Sequence, residues 1–535
     1  MRSAKMKFQV AKQLSNYSHR LINKTKQKSR DRNHHEMVAV EIIMAAAMVA
    51  VIVYLYVKRQ QRYWARRNVP HLKPEFFYGN TKTLDHTEQL GMIFARFYNE
   101  LKSSGPLAGV YMYVRPVAVV TDLELVKCVL VKDFQHFTDR GFFYNEVQDP
   151  LSAHMFSLPG SKWRSLRQKL SPTFTSGKMK MMFSTIVAAG KQFNDFLEEK
   201  VGRESEFEMK DLLARFTTDV IGMCAFGIEC NSMKDPDAQF RVMGRKFFED
   251  QRGLVKNVFH NAAPELAKKA GVRAVNKDVA DFFLNVVRET IDYRVKNNVK
   301  RNDFMDLLIQ MRNPKESESG ENLLSFNELA AQCFLFYVAG FETSSTLLTW
   351  TLYELSLNQS VQEKGRQHVM DVLAKHGGKI TYESVNDMIY LDKILNEALR
   401  KYPPVPVHFR EATKDYQVPD TKITIETGTK VFIPVYGIHH DPAVFPDPER
   451  FDPERFSPEQ VQKRHPYAWT PFGEGPRICI GLRFGMLQAK VGLLYLLKNY
   501  KFGIGKQCKV PLNFDVRSVI LSPEGGLWLN VKKIY

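Results

Sequence analysis

A mainly helical chain with a small β portion, built as one large domain behind an N-terminal transmembrane helix, is the fold class this sequence predicts. Three observations carry that prediction. Met37–Val57 reads MVAVEIIMAAAMVAVIVYLYV, with Glu41 as its one charge; at about 1.5 Å per residue it is long enough to cross a hydrocarbon layer of about 30 Å. Between residues 150 and 415 nearly every segment repeats its apolar positions with helical period, and no long linker divides it. Strand-like runs are confined to short pairs elsewhere.

The chain begins with a strongly basic segment. Residues 1–36 contribute +8 and residues 37–67 contribute +4, which leaves +6 of the net +18 for the rest of the chain. A charge gathered at one end is not a nucleic-acid-binding face, so no nucleic-acid partner is expected. Directly after the apolar stretch come Lys58, Arg59, Arg62, Arg66 and Arg67, which hold that flank in the cytosol. The ten basic residues of 1–36 compete for the same side, and several readings of them stay open: an extension upstream of a productive start at Met37, an alternative start, a presequence of the mitochondrial kind (unusual directly before an anchor), or a lumenal arm. In the lumenal case Asn16-Tyr-Ser and Asn23-Lys-Thr become glycosylation acceptors. Endoglycosidase treatment of the full-length protein tests the last, since a mobility shift is expected only for the lumenal arm. The division expected is therefore extension 1–36, anchor 37–57, a basic and proline hinge 58–75 containing Pro70 and Pro74, and a globular domain 76–535. Six cysteines without a pairing pattern fit a reducing compartment.

Within the globular part, Val110–Val114 and Val117–Val120 flank Arg115-Pro116 as a hairpin. A second pair, Lys422–Glu426 and Lys430–Pro434, turns at Thr427-Gly428-Thr429. Ser325-Phe-Asn-Glu328 is a capping box that opens a helix running to about Leu357. Near its middle lies Ala339-Gly340-Phe341-Glu342-Thr343-Ser344, where Gly340 removes bulk and Thr343 can bond back to a carbonyl one turn earlier. Glu397 and Arg400 stand three apart on an apolar helical face that Pro403-Pro404 ends. Segment 244–268 carries Phe247, Phe248 and Phe259; an access-channel cover and an ordinary amphipathic helix pair are equal readings of it.

The most informative run is Pro471-Phe-Gly-Glu-Gly-Pro-Arg-Ile-Cys479-Ile-Gly481. No second Cys or His stands at zinc-ligand spacing. A lone thiolate in a glycine-rich loop that offers backbone N–H groups to sulfur suits the axial position of a haem iron. Haem carries two carboxylates that require cations and N–H donors. Trp163 and Arg167, four apart, present an indole N–H and a guanidinium on one helical face.

The form F-x-x-G-x-R-x-C-x-G around Cys479 resembles the haem-binding loop of the cytochromes P450. Ala339–Ser344 resembles that family's oxygen-binding groove, and Trp163/Arg167 matches its W-x-x-x-R. The resemblance implies haem as cofactor, Cys479 as iron ligand, and Thr343 with Glu342 in proton delivery. It implies that Arg140, Trp163, Arg167, Arg410 and Arg477 hold the propionates, and that Arg455 in Phe451-Asp-Pro-Glu-Arg455-Phe456 joins Glu397 and Arg400 in a structural lock. Phe142, Phe143 and Phe156 are candidate walls of the substrate side, and Val405, Val407 and Phe409, after the Pro403-Pro404 stop, face either the sheet or the cavity. Lys162, Arg164 and Lys169 are expected outward, facing an acidic electron donor. Lys169–Lys180, Leu399–Pro404 and Cys479–Lys490 look like insect microsomal members of family six. That implies endoplasmic-reticulum anchoring and electrons from NADPH–cytochrome P450 reductase, sometimes cytochrome b5. Small lipophilic substrates such as plant toxins and insecticides are implied as well. The rival readings are an endogenous hormone or lipid hydroxylase, a reductase-independent haem-thiolate isomerase or dehydratase, and a non-enzymatic haem sensor or lipid carrier.

Overall fold

In the computed structural model, residues 2–84, 87–249, 260, 264–301, 303–312 and 324–534 are described. They fall into two compact units, Met1–Tyr63 and Trp64–Tyr535. The first unit is one helix, Arg2–Gln60, that runs without a break through the basic segment and the apolar stretch. From Val40 onward it is long and apolar enough to cross a membrane. Ile42, Ile43, Met44, Met48, Val49 and Leu55 are exposed along it, as lipid-facing side chains would be in water.

The second unit opens on Trp64, which is fully buried. Its indole N–H donates to the Val110 carbonyl at 3.0 Å, and Gly109 leaves room for the ring, since a Cβ there would lie 2.3 Å from Trp64 Cγ. Globular packing thus begins inside the stretch read as hinge. Among the described residues there are nine strands, β1 (Leu107–Met112), β2 (Arg115–Val120), β3 (Glu206–Glu208), β4 (His408–Glu411), β5 (Tyr416–Gln417), β6 (Thr424–Ile425), β7 (Lys430–Ile433), β8 (Tyr500–Ile504) and β9 (Trp528–Lys533). They form a four-stranded sheet in the order β1-β2-β7-β4, a three-stranded sheet β3-β9-β8, and the pair β5-β6.

The first hairpin exists, but its turn falls at Tyr113-Val114 rather than at Arg115-Pro116. Tyr113 takes φ 53°, and Arg115 and Pro116 pair with Met112 and Tyr111. Pro116 is tolerated because β7 pairs with β2 only from Val117 onward, so the missing N–H costs no ladder bond on that side. The second expected hairpin is not formed. Thr424–Ile425 pairs back onto Tyr416–Gln417, whereas Lys430–Ile433 runs parallel to β2 and antiparallel to β4. Gly428, at φ 83°, redirects the chain between the two sheets, and Asp415 Oδ1 accepts from Thr427 N at 2.8 Å to hold that bend.

The rest of the described residues is predominantly helical. The central helix, Phe326–Leu357, starts at the expected capping box: Glu328 N donates to Ser325 Oγ at 3.2 Å, and Ser325 N donates to Glu328 Oε2 at 2.9 Å. From Ser344 to Ser356 every side chain on it is buried, which a helix achieves only when neighbours cover its whole circumference. Those neighbours are the helices Met209–Ile221, Ile389–Lys401 and Leu482–Asn499. A Cβ on Gly340 would lie 2.7 Å from Ile221 Cδ1, so the bulk this glycine gives up is taken by a helix–helix contact. Its backbone still borders the cavity described next.

Glu397, Arg400 and Arg455 come together as expected. Glu397 and Arg400 are wholly buried, and the carboxylate accepts from Arg400 Nε and Nη2, each at 2.8 Å. Arg455 Nε stands 3.4 Å from Glu397 Oε1, and Asp452 N donates to the same oxygen at 3.0 Å. This lock joins the helix Ile389–Lys401 to the irregular chain that leads into the cysteine loop.

Candidate active site

The cysteine loop lies between the short helix Pro458–Lys463 and the helix Leu482–Asn499, and two glycines set its path. Gly473 and Gly475 adopt φ 71° and 70°, and a Cβ on Gly475 would stand 2.1 Å from the Leu130 carbonyl oxygen. The loop closes on itself where Cys479 N donates to Phe472 O at 2.9 Å. Gly481 caps the following 18-residue helix, so Cys479 sits two residues ahead of a helix N-terminus. Burial pushes the Cys479 thiol up; the hydrogen bond from Gly481 N–H and the charges of Arg167 and Arg140 oppose that and favour the thiolate.

Cys479 borders a cavity of about 280 Å³ whose other wall is the middle of the central helix, at Ala339, Gly340 and Thr343. Thr343 Oγ1 donates to Ala339 O at 2.6 Å, the back-bond its position predicted. Thr217 Oγ1 donates to Phe341 O at 2.9 Å, and Ser345 Oγ to Glu342 O at 3.0 Å. Three carbonyls within one turn therefore take side-chain hydroxyls, which compete there with the backbone N–H groups of the helix ladder.

Arg140, Trp163, Arg167, Arg410 and Arg477 all border this cavity. Arg477 is nearly inaccessible and is fixed by three carbonyls: Thr138 O at 2.6 Å from Nε, Leu158 O at 2.9 Å and Met155 O at 3.5 Å. Its guanidinium lies 4.2 Å from the Trp163 ring centre. Arg140 donates to Phe156 O and Arg477 O at 3.1 and 3.3 Å. Arg410, 2% exposed, spends one nitrogen on Phe409 O, while its buried Nε has no partner among the described residues. Among those residues, only Arg477 of the four arginines has a carboxylate within 4 Å, Asp139 at 3.8 Å.

Four guanidiniums against one distant carboxylate is an unbalanced arrangement. Burial, then repulsion from Arg410, pushes Arg477 down to about 9. Burial alone takes Arg410 to about 10, and it lowers Arg140 and Arg167 as well, Arg140 further through Arg410 and Arg477. Such a cluster is stable only opposite an anion. A flat dianionic group fits: its carboxylates would take the free Arg410 Nε and the Trp163 indole N–H, and its metal would meet the sulfur of Cys479. The residues present thus fit haem.

Some expected residues stand elsewhere. Glu342 does not border the cavity; its carboxylate turns to Lys210 on the helix Met209–Ile221, 3.6 Å away. Phe156, Val405, Val407 and Phe409 border the cavity, whereas Phe142 packs behind Phe156 and Phe409 with ring centres 5.3 and 5.4 Å away. Phe143 stacks on His260 at 4.0 Å. Phe247 and Phe248 pack edge-on against Phe334 and Phe341 of the central helix; residues 250–259, Phe259 among them, lie outside the described residues. Lys162 and Arg164 are exposed and Lys169 is half-buried, with Lys162 paired to Glu146 at 2.6 Å. Sequence reasoning missed His408, which borders the cavity two residues before Arg410.

The family model described as cytochrome P450 matches residues 69–530. Probable cytochrome P450 6a23 of Drosophila melanogaster is 46% identical over 497 residues, 92% of this chain and 99% of that protein. Cytochrome P450 6A1 of Musca domestica is 45% identical over 499 residues, 92% and 98% of the two chains, and cytochrome P450 6a9 of Drosophila melanogaster is 43% identical over 92% and 99%. Likeness of that depth, running the length of the globular unit and through the Cys479 loop, settles the assignment: the chain belongs to the cytochrome P450 family, whose members bind haem iron and act as monooxygenases, oxidoreductases that use O2.

Proposed function

We propose that this monooxygenase inserts one oxygen atom of O2 into small lipophilic xenobiotics, of the kind represented by plant toxins and insecticides. Its electrons come from NADPH through cytochrome P450 reductase, with cytochrome b5 as an auxiliary donor. The observation that carries the reading is the cavity itself, with Cys479 and unpaired arginines on one side, Thr343 on the other, and Phe156, Val405, Val407 and Phe409 between them. A wall of that composition favours apolar substrates and offers few polar anchors, which suits breadth over tight selection. The apolar helix from Val40 anchors the chain in the endoplasmic reticulum with the catalytic unit in the cytosol. Arg164 and Lys169, without a carboxylate partner among the described residues, belong to the basic face that receives an acidic reductase.

Bound at Cys479, haem supplies the dioxygen activation and oxidation chemistry. The protein's share is placement, exclusion of water and proton handling. The guanidiniums of Arg140, Arg167, Arg410 and Arg477 would neutralise the two haem carboxylates, and the Trp163 indole N–H would help to orient them. Thr343 spends its one donor on Ala339 O, so Oγ1 acts as an acceptor: it takes one O–H of a water and leaves that water's second O–H to deliver the proton into the cavity. Glu342, the neighbouring residue on the helix, is paired with Lys210, and that pair relays the replacement proton to the water.

Replacing Thr343 by Ala is expected to leave NADPH consumption running while product per NADPH falls about 10-fold or more and hydrogen peroxide accumulates. Tight coupling in that variant would remove Thr343 from the proton path. The substrate class is tested with reconstituted reductase on two panels: turnover of insecticides and plant toxins supports the reading, and turnover confined to steroid hormones or fatty acids overturns it.

A further inference from the structure

Thr470 opens the cysteine loop, and its backbone is held in an unusual way. It is 3% exposed and precedes Pro471 in a stretch without regular secondary structure, so its N–H and carbonyl need partners from elsewhere in the fold. Both are imidazoles. Thr470 N donates to His439 Nε2 at 3.2 Å, and Thr470 O receives His408 Nε2 at 2.6 Å. Because one backbone group can only donate and the other only accept, the two rings are in opposite tautomers. His439 carries its proton on Nδ1, which donates to Arg400 O at 3.1 Å, and Arg400 returns a bond to His439 O at 3.1 Å. His408 carries its proton on Nε2.

The consequences run in one direction along the chain. Thr470 O also accepts from Gly473 N at 3.0 Å, which forms the first turn of the loop, and Phe472 O accepts from Cys479 N. A displacement of the Thr470 carbonyl therefore reaches the sulfur through two hydrogen-bonded turns. His439 belongs to the buried lock around Arg400 and cannot shift alone. His408 comes from β4, the strand that ends in Arg410 and Glu411, and it borders the cavity.

We propose that His408 is a positioning residue for the axial cysteine: through the Thr470 carbonyl it sets where the loop begins, and so how firmly the Cys479 sulfur is presented to iron. The inference rests on haem being held by Cys479, the assignment reached above. Burial, reinforced by the charge of Arg410, pushes His408 down to about 3, and burial also keeps His439 well below its ordinary value. Both imidazoles stay neutral under working conditions, so the clamp is a fixed device and not a pH switch.

The test compares wild type, His408→Leu and His408→Gln as full-length holoenzymes. Gln can present an amide N–H where Nε2–H stands; Leu keeps bulk and removes the donor. Three quantities are read: haem content, melting temperature, and the rate at which the reduced carbonyl complex loses its thiolate band near about 450 nm to the band near about 420 nm. The expected result is unchanged haem content and melting temperature in all three, with band loss in His408→Leu faster by roughly five-fold, the worth of one buried hydrogen bond, and restored in His408→Gln. Equal band loss in Leu and wild type would overturn the proposal. So would a lowered melting temperature without selective band loss, or a failure of Gln to restore the rate. If the wild type shows no band near about 450 nm at all, it is the haem-thiolate assignment that fails, a result separate from any difference among the variants.

Discussion

Replacing Glu397 by Ala is expected to yield protein that does not hold haem and accumulates misfolded. Glu397 is wholly inaccessible and satisfies two guanidinium nitrogens of Arg400, the Asp452 N–H and, at longer range, Arg455. Removing the carboxylate leaves Arg400, itself without solvent contact, as an uncompensated buried cation. The cost is about 3–5 kcal/mol, against a total stability of about 5–15 kcal/mol for a folded domain. The damage is also directed, because Arg400 holds His439, which holds Thr470 at the mouth of the cysteine loop. Glu397→Gln keeps part of the geometry without the charge and should fall between. Haem-to-protein ratio and thermal unfolding check this; a stable, fully haem-loaded Glu397→Ala would show that the lock is dispensable.

Replacing Cys479 by Ser carries the second large effect, on chemistry more than on folding. Cys479 is open to the cavity, and the one hydrogen bond its sulfur takes, from Gly481 N–H, is one a Ser hydroxyl can also accept, so Ser fits the loop. A hydroxyl in that place is not an anion at neutral pH and gives iron little electron density. Monooxygenase turnover should drop below detection, and the reduced carbonyl band near about 450 nm should vanish. The melting profile of the haem-free protein should stay close to that of wild-type haem-free protein. Turnover persisting in Cys479→Ser would place the iron ligand elsewhere.

What the sequence disclosed depended on distance along the chain. The capping box at Ser325, the Thr343 back-bond and the Glu397–Arg400 pair are contacts three or four residues apart, and helical spacing alone brings them together. Trp163 and Arg167 share a face for the same reason, and both reach the cavity. Strand partners were harder to read. Lys430–Ile433 has hairpin-like neighbours upstream but finds β2, some three hundred residues earlier, because the buried Val431, Phe432 and Ile433 need a covered sheet position that a two-stranded hairpin does not offer. Glu342 and Thr343 were expected to share in proton delivery, and helical spacing sets where each can stand. Adjacent helix positions point about 100° apart, so with Thr343 on the cavity the carboxylate is carried toward Lys210. Gly340 likewise makes room for Ile221, a packing partner no local pattern could name. His408 escaped notice because its meaning lies in Thr470, sixty-two residues on, and one histidine in a short strand announces nothing by itself.

The most direct test of the account is the carbonyl difference spectrum of the reduced, full-length protein purified with haem. A thiolate from Cys479 predicts a dominant band near about 450 nm that is lost in Cys479→Ser. A colourless preparation, or a band near about 420 nm in undenatured protein that Cys479→Ser leaves unchanged, would contradict it.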